Sequence, residues 1–418
     1  MSPSDNISRR DFLEQLSIVS GSLPWIALLA QGEAAAQTRA SDRIRVGIVG
    51  VGSRGTKLLL HLQTIPEVEI TAVCDDYPPH LYEAGRLTDG HARTFSGYGA
   101  LLEQTDVDAV IIATPPDSHA DIACDAMRSG KAVFCEKVMA LTIEDCSRMM
   151  GVQRGTGRIL QIGFQRLFDV RYLKAFEVVR EGKLGQLTCL KTHWHRNDSW
   201  RRPVRDPRLE RRTNWRLYKE ASGGLMAELA AHQIVTSNWI LGEVPTSVTG
   251  FGGINYWKDG RETDDNISVV FSYPSGVLLT QTVILSNKHY GVVEQIIGSE
   301  ATIELETGRL FLEASPPSPG IHQLLQSIQN QLFKTIPLGG ASWVLTDQDR
   351  HRAEYLVDEL RIPSPTQLEL EAFVESVKSN KPIPDLLEQS YNASVAAILA
   401  NRAIDASLVI EWPAEVRL

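Results

Sequence analysis

Gly50-Val51-Gly52-Ser53-Arg54-Gly55 closes a run rich in Ile and Val and opens a segment whose leucines recur at helical spacing. The first glycine permits a tight turn, the second lets the backbone approach a pyrophosphate, and the third lets helix and strand pack closely. A helix opening at Ser53 and Arg54 presents unpaired N–H groups and the positive end of its dipole to phosphate. The next apolar run ends Ala72-Val73-Cys74-Asp75. Asp75 lies about twenty residues past the last glycine, where a carboxylate accepts hydrogen bonds from an adenosine ribose. A bare GxGxxG says little, but strand, helix and acid in this order predict a dinucleotide site. Asp75 favours NAD, because a carboxylate repels a 2′-phosphate; NADP is the alternative. With Asp76 and Pro78 following, a helix N-cap is the competing role for Asp75.

Two further groups carry chemistry. Ala113-Thr114-Pro115-Pro116 ends a later strand, and Lys131 to Lys137 reads as the next. Strand ends of an open α/β sheet border its ligand crevice, which assigns Thr114, Pro115, Glu136 and Lys137 to the cofactor. Lysine is rarely buried without a task, and pairing with Glu136 is disfavoured because strand neighbours point to opposite faces. The third group runs from Ser222 through Gly223, Gly224 and Glu228 to His232. Ser222 suits a helix cap, and Glu228 and His232, four apart, share a face and can touch. A carboxylate beside an imidazole raises its basicity, as a general base for alcohol oxidation requires. The competing role is a surface ion pair, but Leu225, Val235 and Trp239 make that face apolar and predict burial.

Thr192 to Arg196 reads as a strand with His193 and His195 on one face and Trp194 and Arg196 on the other. Aromatic and guanidinium groups suit sugar-like polyols, so Trp194 and Arg196 are substrate candidates; sheet-surface or interface packing competes. Metal binding by the two histidines with Asp198 is a third reading, without an assured further ligand, and no metal is assigned.

The elements that position these residues alternate from Arg43 onward between apolar strands and amphipathic helices, which predicts a parallel sheet covered on both faces. After about Gly185 the runs alternate or abut tight turns. Tyr273-Pro274-Ser275-Gly276 is a hairpin signal, and one long helix is expected from Gly224 to Leu241. The fold class is therefore α/β: a doubly wound Rossmann sheet over 43–165, then an α+β domain with an open mixed or antiparallel sheet over 166–360. Helices in 361–418 close the chain, and the pattern assigns no structure to 315–349.

At 418 residues the chain exceeds one compact domain. Its formal charge of −9, without a long basic run, argues against a nucleic-acid partner. The arginine-rich stretch Arg196–Arg216 also carries Asp198, Asp206 and Glu210, so it reads as salt bridges or substrate contacts. Five cysteines without CxxC spacing predict neither a disulfide framework nor structural zinc. Residues 1–36 have the form of a twin-arginine export signal: Ser8-Arg9-Arg10-Asp11-Phe12-Leu13, a mildly apolar stretch, then Ala34-Ala35-Ala36. The stretch is shorter than the ~20 residues that span a bilayer, so no membrane span is expected after processing. A periplasmic or otherwise exported protein that travels folded can leave with its dinucleotide enclosed.

Together these residues resemble the glucose–fructose oxidoreductase/inositol dehydrogenase (Gfo/Idh/MocA) family. The resemblance rests on Val46–Gly55, Thr114–His119, Gly130–Lys137 and the helix from Gly223 to His232, with Gly163–Arg166 and Asn214–Arg216 in support. It implies an active site between a Rossmann domain and an open-faced sheet domain, and a homo-oligomer built on that open face. It adds His119 to the cofactor residues, and Arg166 and Trp215 to the substrate side. In the family a lysine in Glu-Lys-Pro touches nicotinamide and substrate, and an Asp four residues before a His completes the set. Lys137 and His232 match; Glu228 replaces the Asp, and Val138 stands in place of the proline. Without proline a trans Lys137–Val138 peptide is expected.

The resulting expectation is an NAD-dependent oxidoreductase acting on a hydroxyl of a sugar, polyol or sugar derivative, with Lys137, His232 and Glu228 catalytic. One alternative is an NAD-dependent glycoside-cleaving enzyme that oxidises transiently and eliminates. Another is a cofactor-bound binding protein whose altered site has lost chemistry.

Overall fold

The computed structural model describes residues 43–313, 354–357 and 363–416. The expected export signal and the 315–349 segment lie outside the described residues.

Six parallel strands form the first sheet: β1 (Ile44–Val49), β2 (Val68–Cys74), β3 (Arg93–Phe95), β4 (Ala109–Ile112), β5 (Ala132–Glu136) and β6 (Leu160–Gly163). Their order is β3-β2-β1-β4-β5-β6, so the chain reverses direction across the sheet between β1 and β4. Val49 is in register with Cys74 on one side and Ile112 on the other. That register brings Gly50, Asp75 and Ala113 to one edge, where ligands of such sheets bind. Continuous Val and Ile runs form these strands because both faces are covered. Leu58, Leu59 and Leu62 of helix α1 (Ser53–Leu62) pack on one face, and Ala123 and Met127 of α2 (His119–Arg128) on the other. Each fully buried Leu of this kind contributes about 1.5–3 kcal/mol.

Among the described residues the second sheet has nine strands: β7 (Leu187–His195), β8 (Ser247–Gly253), β9 (Asn266–Ser272), β10 (Leu278–Ile284), β11 (Val292–Gly298), β12 (Ala301–Glu304), β13 (Arg309–Leu312), β14 (Glu354–Tyr355) and β15 (Ile410–Glu411). Only the β7–β10 pairing is parallel among the described residues; the other pairings are antiparallel, and the sheet is mixed. The expected hairpin joins β9 to β10: Gly276 has φ +84°, and the Tyr273 amide bonds the Val277 carbonyl at 3.0 Å. Burial alternates along the strands, with Ile267, Val269 and Phe271 inward and Phe251 and Leu278 exposed on the open face.

The long helix expected from Gly224 to Leu241 forms over that span, with a change of winding inside it. Met226–Ala230 is a π-helical turn, followed by the regular helix α3 (Ala231–Leu241). The closing helices are α4 (Pro365–Ser379), whose Phe373 meets Phe134 of β5 edge-on at 5.7 Å, and α5 (Leu386–Ala406), which packs on α3 and β8.

Candidate active site

The glycine loop is built as its sequence implies. Gly50 has φ +85°, and a Cβ there would lie 2.8 Å from the Ala113 carbonyl and the Thr114 nitrogen. A Cβ on Gly55 would lie 1.9 Å from the Gly50 oxygen. Both positions admit only glycine, and they press the loop against the end of β4. Among the described residues no side chain caps the start of α1, and its first turn holds no acid. Ser53 is exposed there, so the helix offers free N–H groups and its positive dipole to a phosphate. Asp75 accepts from the Val51 amide at 3.0 Å and the Tyr77 amide at 2.9 Å, and lies 3.2 Å from His80 Nδ1. The following helix begins at Pro78 with Tyr77 at its cap, so Asp75 braces the loop and is not the N-cap. This uncapped, glycine-turned loop with a carboxylate at its side fits a nicotinamide dinucleotide.

His119 ties the neighbouring strand ends together. Its Nδ1 lies 2.9 Å from the Val138 carbonyl and its Nε2 3.0 Å from the Thr114 carbonyl. Ser118 bonds the Thr114 hydroxyl and the Pro115 carbonyl. The Lys137–Val138 peptide is cis, against the trans bond expected from the missing proline. The reason lies in its surroundings: Val138 is buried, its carbonyl faces His119, and the next amide, of Met139, bonds Ser394 Oγ at 3.0 Å.

Lys137 extends from the end of β5 to the π turn. Its Nζ donates to the carbonyl oxygens of Ala227 at 3.1 Å and Glu228 at 2.9 Å. Burial lowers its pKa, opposed by Glu228 and Glu136. His232 is buried between Trp194 and Phe164, with ring centroids 5.8 and 6.0 Å away, and among the described residues its Nδ1 has no hydrogen-bond partner. Burial, reinforced by Lys137, Arg166 and Arg54, holds its pKa well below the ordinary value of 6.5.

The expected Glu228–His232 contact does not form. The Glu228 carboxylate accepts from Arg216 Nε at 2.7 Å. A π turn bonds i to i+5 and shifts the spacing that would have stacked residues four apart. Burial alone would raise the Glu228 pKa, but the charges of Lys137 and Arg216 outweigh it and lower it. His232 is accordingly made less basic by its surroundings, not more.

Several predicted residues are engaged structurally. Arg54 Nε donates to Glu136 at 2.5 Å, and Arg54 Nη1 lies 3.4 Å from the Thr366 hydroxyl. Arg166 pairs with Glu294 and, at 2.9 Å, Glu306, and its guanidinium lies 4.7 Å from the Trp194 ring centroid. Trp215 carries the Arg216 guanidinium 4.1 Å above its ring. Arg196 is exposed just past β7. On the open face, His193 and His195 both contact the Thr282 hydroxyl, at 2.6 and 2.9 Å. Among the described residues no cluster of three or more His, Cys, Asp or Glu is arranged to hold a metal, and all five cysteines are free.

Two models of one family match the chain in tandem. An oxidoreductase-family NAD-binding Rossmann fold covers residues 44–164, and a GFO/IDH/MocA C-terminal domain covers 172–304. The chain belongs to the Gfo/Idh/MocA family. Its first domain is thus an NAD-binding Rossmann domain. Among relatives of this family, inositol 2-dehydrogenase of Salmonella paratyphi B is 36% identical over 145 residues, covering 34% of this chain and 43% of that enzyme. The chain therefore matches under half the length of that relative. Inositol 2-dehydrogenase of Rhizobium meliloti is 28% identical over 64% of this chain and 76% of its own. The crystal structure of scyllo-inositol dehydrogenase from Lactobacillus casei, with bound NAD(H) and scyllo-inositol, shares the fold. It superposes with a TM-score of 0.65 at 20% identity, covering 88% of this chain and 99% of that one.

Against the Gfo/Idh/MocA pattern, sequence reasoning missed four residues at this site. Arg216 holds Glu228; the Asn214–Arg216 stretch supported the resemblance, but Arg216 itself was given no role. His80 stands over Gly52, its Cε1 3.4 Å from where a Cβ would be. Arg212 reaches from the second domain to pair with Asp76, its guanidinium 5.2 Å from the Tyr77 ring centroid. Glu369 is fully buried near Arg54 and Glu136, and among the described residues neither of its carboxylate oxygens is bonded. Of the four, only Arg216 lay in a stretch already marked; the partners of Arg212 and the charged neighbours of Glu369 are remote in sequence, and His80 reaches Asp75 through the turn before its helix.

Proposed function

We propose that the chain oxidises a hydroxyl of a sugar, polyol or sugar derivative with NAD as acceptor. The convergence of Lys137 and His232 at the carboxyl edge of the Rossmann sheet carries this reading. When bound, NAD accepts the hydride that leaves the carbinol carbon. His232 enters as a neutral imidazole, because burial disfavours its charged form, and takes the hydroxyl proton as the C=O bond forms. As an ammonium, Lys137 directs two N–H groups at the Ala227 and Glu228 carbonyls and keeps a third for the substrate oxygen. That donor steadies the developing alkoxide. Glu228 acts through Arg216 and Lys137, not through the imidazole. The inositol 2-dehydrogenases among the relatives support a polyol substrate.

We also propose twin-arginine export with dinucleotide already bound, and association of copies through the open sheet face, where Phe251 is 69% exposed. Residues Ser8 to Ala36 and the exposed aliphatic and aromatic side chains of that face support these readings. The test of function is a panel of inositols, hexoses and sugar derivatives incubated with NAD or NADP, following nicotinamide absorbance. Polyol-dependent reduction that vanishes in His232→Ala is the expected result. Aglycone release without net reduction would replace this reading with transient oxidation and elimination. Binding of sugars without either change would leave a non-catalytic protein.

A further inference from the structure

Arg216 sits on a short 3-10 turn (Trp215–Leu217) and is held from three directions. Its Nε donates to Glu228 at 2.7 Å, its guanidinium lies 4.1 Å above the Trp215 ring, and its carbonyl accepts from the Thr263 hydroxyl at 3.1 Å. Its Nη1 and Nη2 have no partner among the described residues, and the side chain is 35% exposed. The guanidinium is therefore fixed in plane with its two-pronged end open. A planar fork of N–H donors is the group that matches a carboxylate with two parallel hydrogen bonds.

The open fork stands beside the reaction centre. Glu228 joins the two cations, receiving Arg216 on its carboxylate and Lys137 on its carbonyl. Their charges sum to one excess positive charge, because neighbouring acids are already engaged: Glu136 with Arg54, and Glu294 and Glu306 with Arg166. The stretch from Arg196 to Arg216 holds eight arginines against three acids, in a chain whose overall charge is −9. Arg201, Arg208, Arg211 and Arg212 are spent on ion pairs. Arg196, Arg202 and Arg205 are exposed, and among the described residues their guanidinium groups have no partner. A local positive field on an acidic protein gathers anions.

We propose that Arg216 determines specificity by binding a carboxylate on the substrate, so that the polyol oxidised is a sugar acid and not a neutral sugar. This rests on the proposed oxidation of a polyol hydroxyl at the same site.

The experiment compares matched pairs that differ only in the acid: methyl glucuronide against methyl glucoside, and further hexuronates and aldonates against their neutral counterparts. Calorimetric binding to the NADH-loaded protein is measured beside turnover with NAD. The wild-type protein is expected to favour the acid by about tenfold or more, roughly what one well-placed charged contact supplies. Arg216→Lys keeps a cation near Glu228 but removes the planar fork. It should erase most of that preference, chiefly through KM and binding of the acid, and melting curves check that the variant is folded. Equal or weaker binding of the acids by wild type overturns the inference. So does an Arg216→Lys variant that loses acid and neutral substrates alike, since Arg216 would then only position Glu228. Acid-selective binding without turnover would sustain the inference while the oxidation reading failed. Oxidation of neutral polyols in preference to acids would do the reverse.

Discussion

Lys137 Nζ lies 2.9 Å from the carbonyl oxygen of Glu228, so the lysine of the Rossmann domain is held by the backbone, not the carboxylate, of the residue expected to tune the histidine. The π turn that carries Glu228 places two carbonyls within reach of one ammonium. Lysine position and helix geometry are consequently one feature.

Lys137→Met should still fold, because the desolvation cost of the ammonium goes with it and Arg216 still faces the Glu228 carboxylate, although the Ala227 and Glu228 carbonyls lose a donor. Turnover should fall by about 10²- to 10⁴-fold, the range for a lost proton-handling or alkoxide-stabilising group. NAD binding measured by nicotinamide fluorescence should weaken far less than turnover.

The pH profile of kcat/KM follows from two depressed pKa values. His232 must be neutral to act, and its pKa lies well below 6.5. The acid limb should therefore fall below pH 6.5 and be absent across the neutral range. Lys137 must be charged to steady an alkoxide, and its pKa is lowered from 10.5. Activity should then decline as pH rises through a value under 10.5. An acid limb centred at or above 6.5 would remove His232 as the base.

Asp75→Ala deletes the acceptor of the Val51 and Tyr77 amides, and with it the carboxylate we propose for the ribose. A weakening of NAD binding by about tenfold or more is expected, from lost hydrogen bonds to a charged group of roughly 1.5–3 kcal/mol. Titration with NAD checks this. Unchanged NAD affinity would contradict the assigned ribose role.

Glu369→Gln should stabilise the protein at neutral pH. Burial, with Glu136 nearby, raises the Glu369 pKa well above 4.5. A carboxyl protonated in the folded state but ionised in the unfolded state costs stability as pH rises above the unfolded pKa, until it reaches the folded one. The cost accumulates at about 1.4 kcal/mol per pH unit in that window. Denaturant melts should show the variant gaining on wild type between acid and neutral pH. A constant difference would show that Glu369 does not titrate there.

Local pattern was legible where neighbours in sequence decide structure. Gly50 and Gly55 are required by contacts within a few residues or with the adjacent strand, and the Ile and Val runs could only be covered strands. Lys137 and His232 stood out because each is a chemical group at a strand end or on an apolar helix face. The two local expectations that failed, a trans Lys137–Val138 bond and a Glu228–His232 contact, both assumed ideal local geometry. The buried environment around Val138 and the π turn at Met226–Ala230 replaced it.

From its own order of residues, the chain determined the Rossmann sheet, its dinucleotide loop and the two side chains, Lys137 and His232, on which the proposed chemistry rests. Tertiary structure alone decided which charge meets which. Arg54 finds Glu136 82 residues away, Lys137 finds the Glu228 carbonyl 91 residues away, and Glu228 turns from His232 to Arg216. Periodicity reports which face a residue occupies, but a buried charge must take whatever partner the packed fold brings within about 3 Å, since leaving it unpaired costs several kcal/mol.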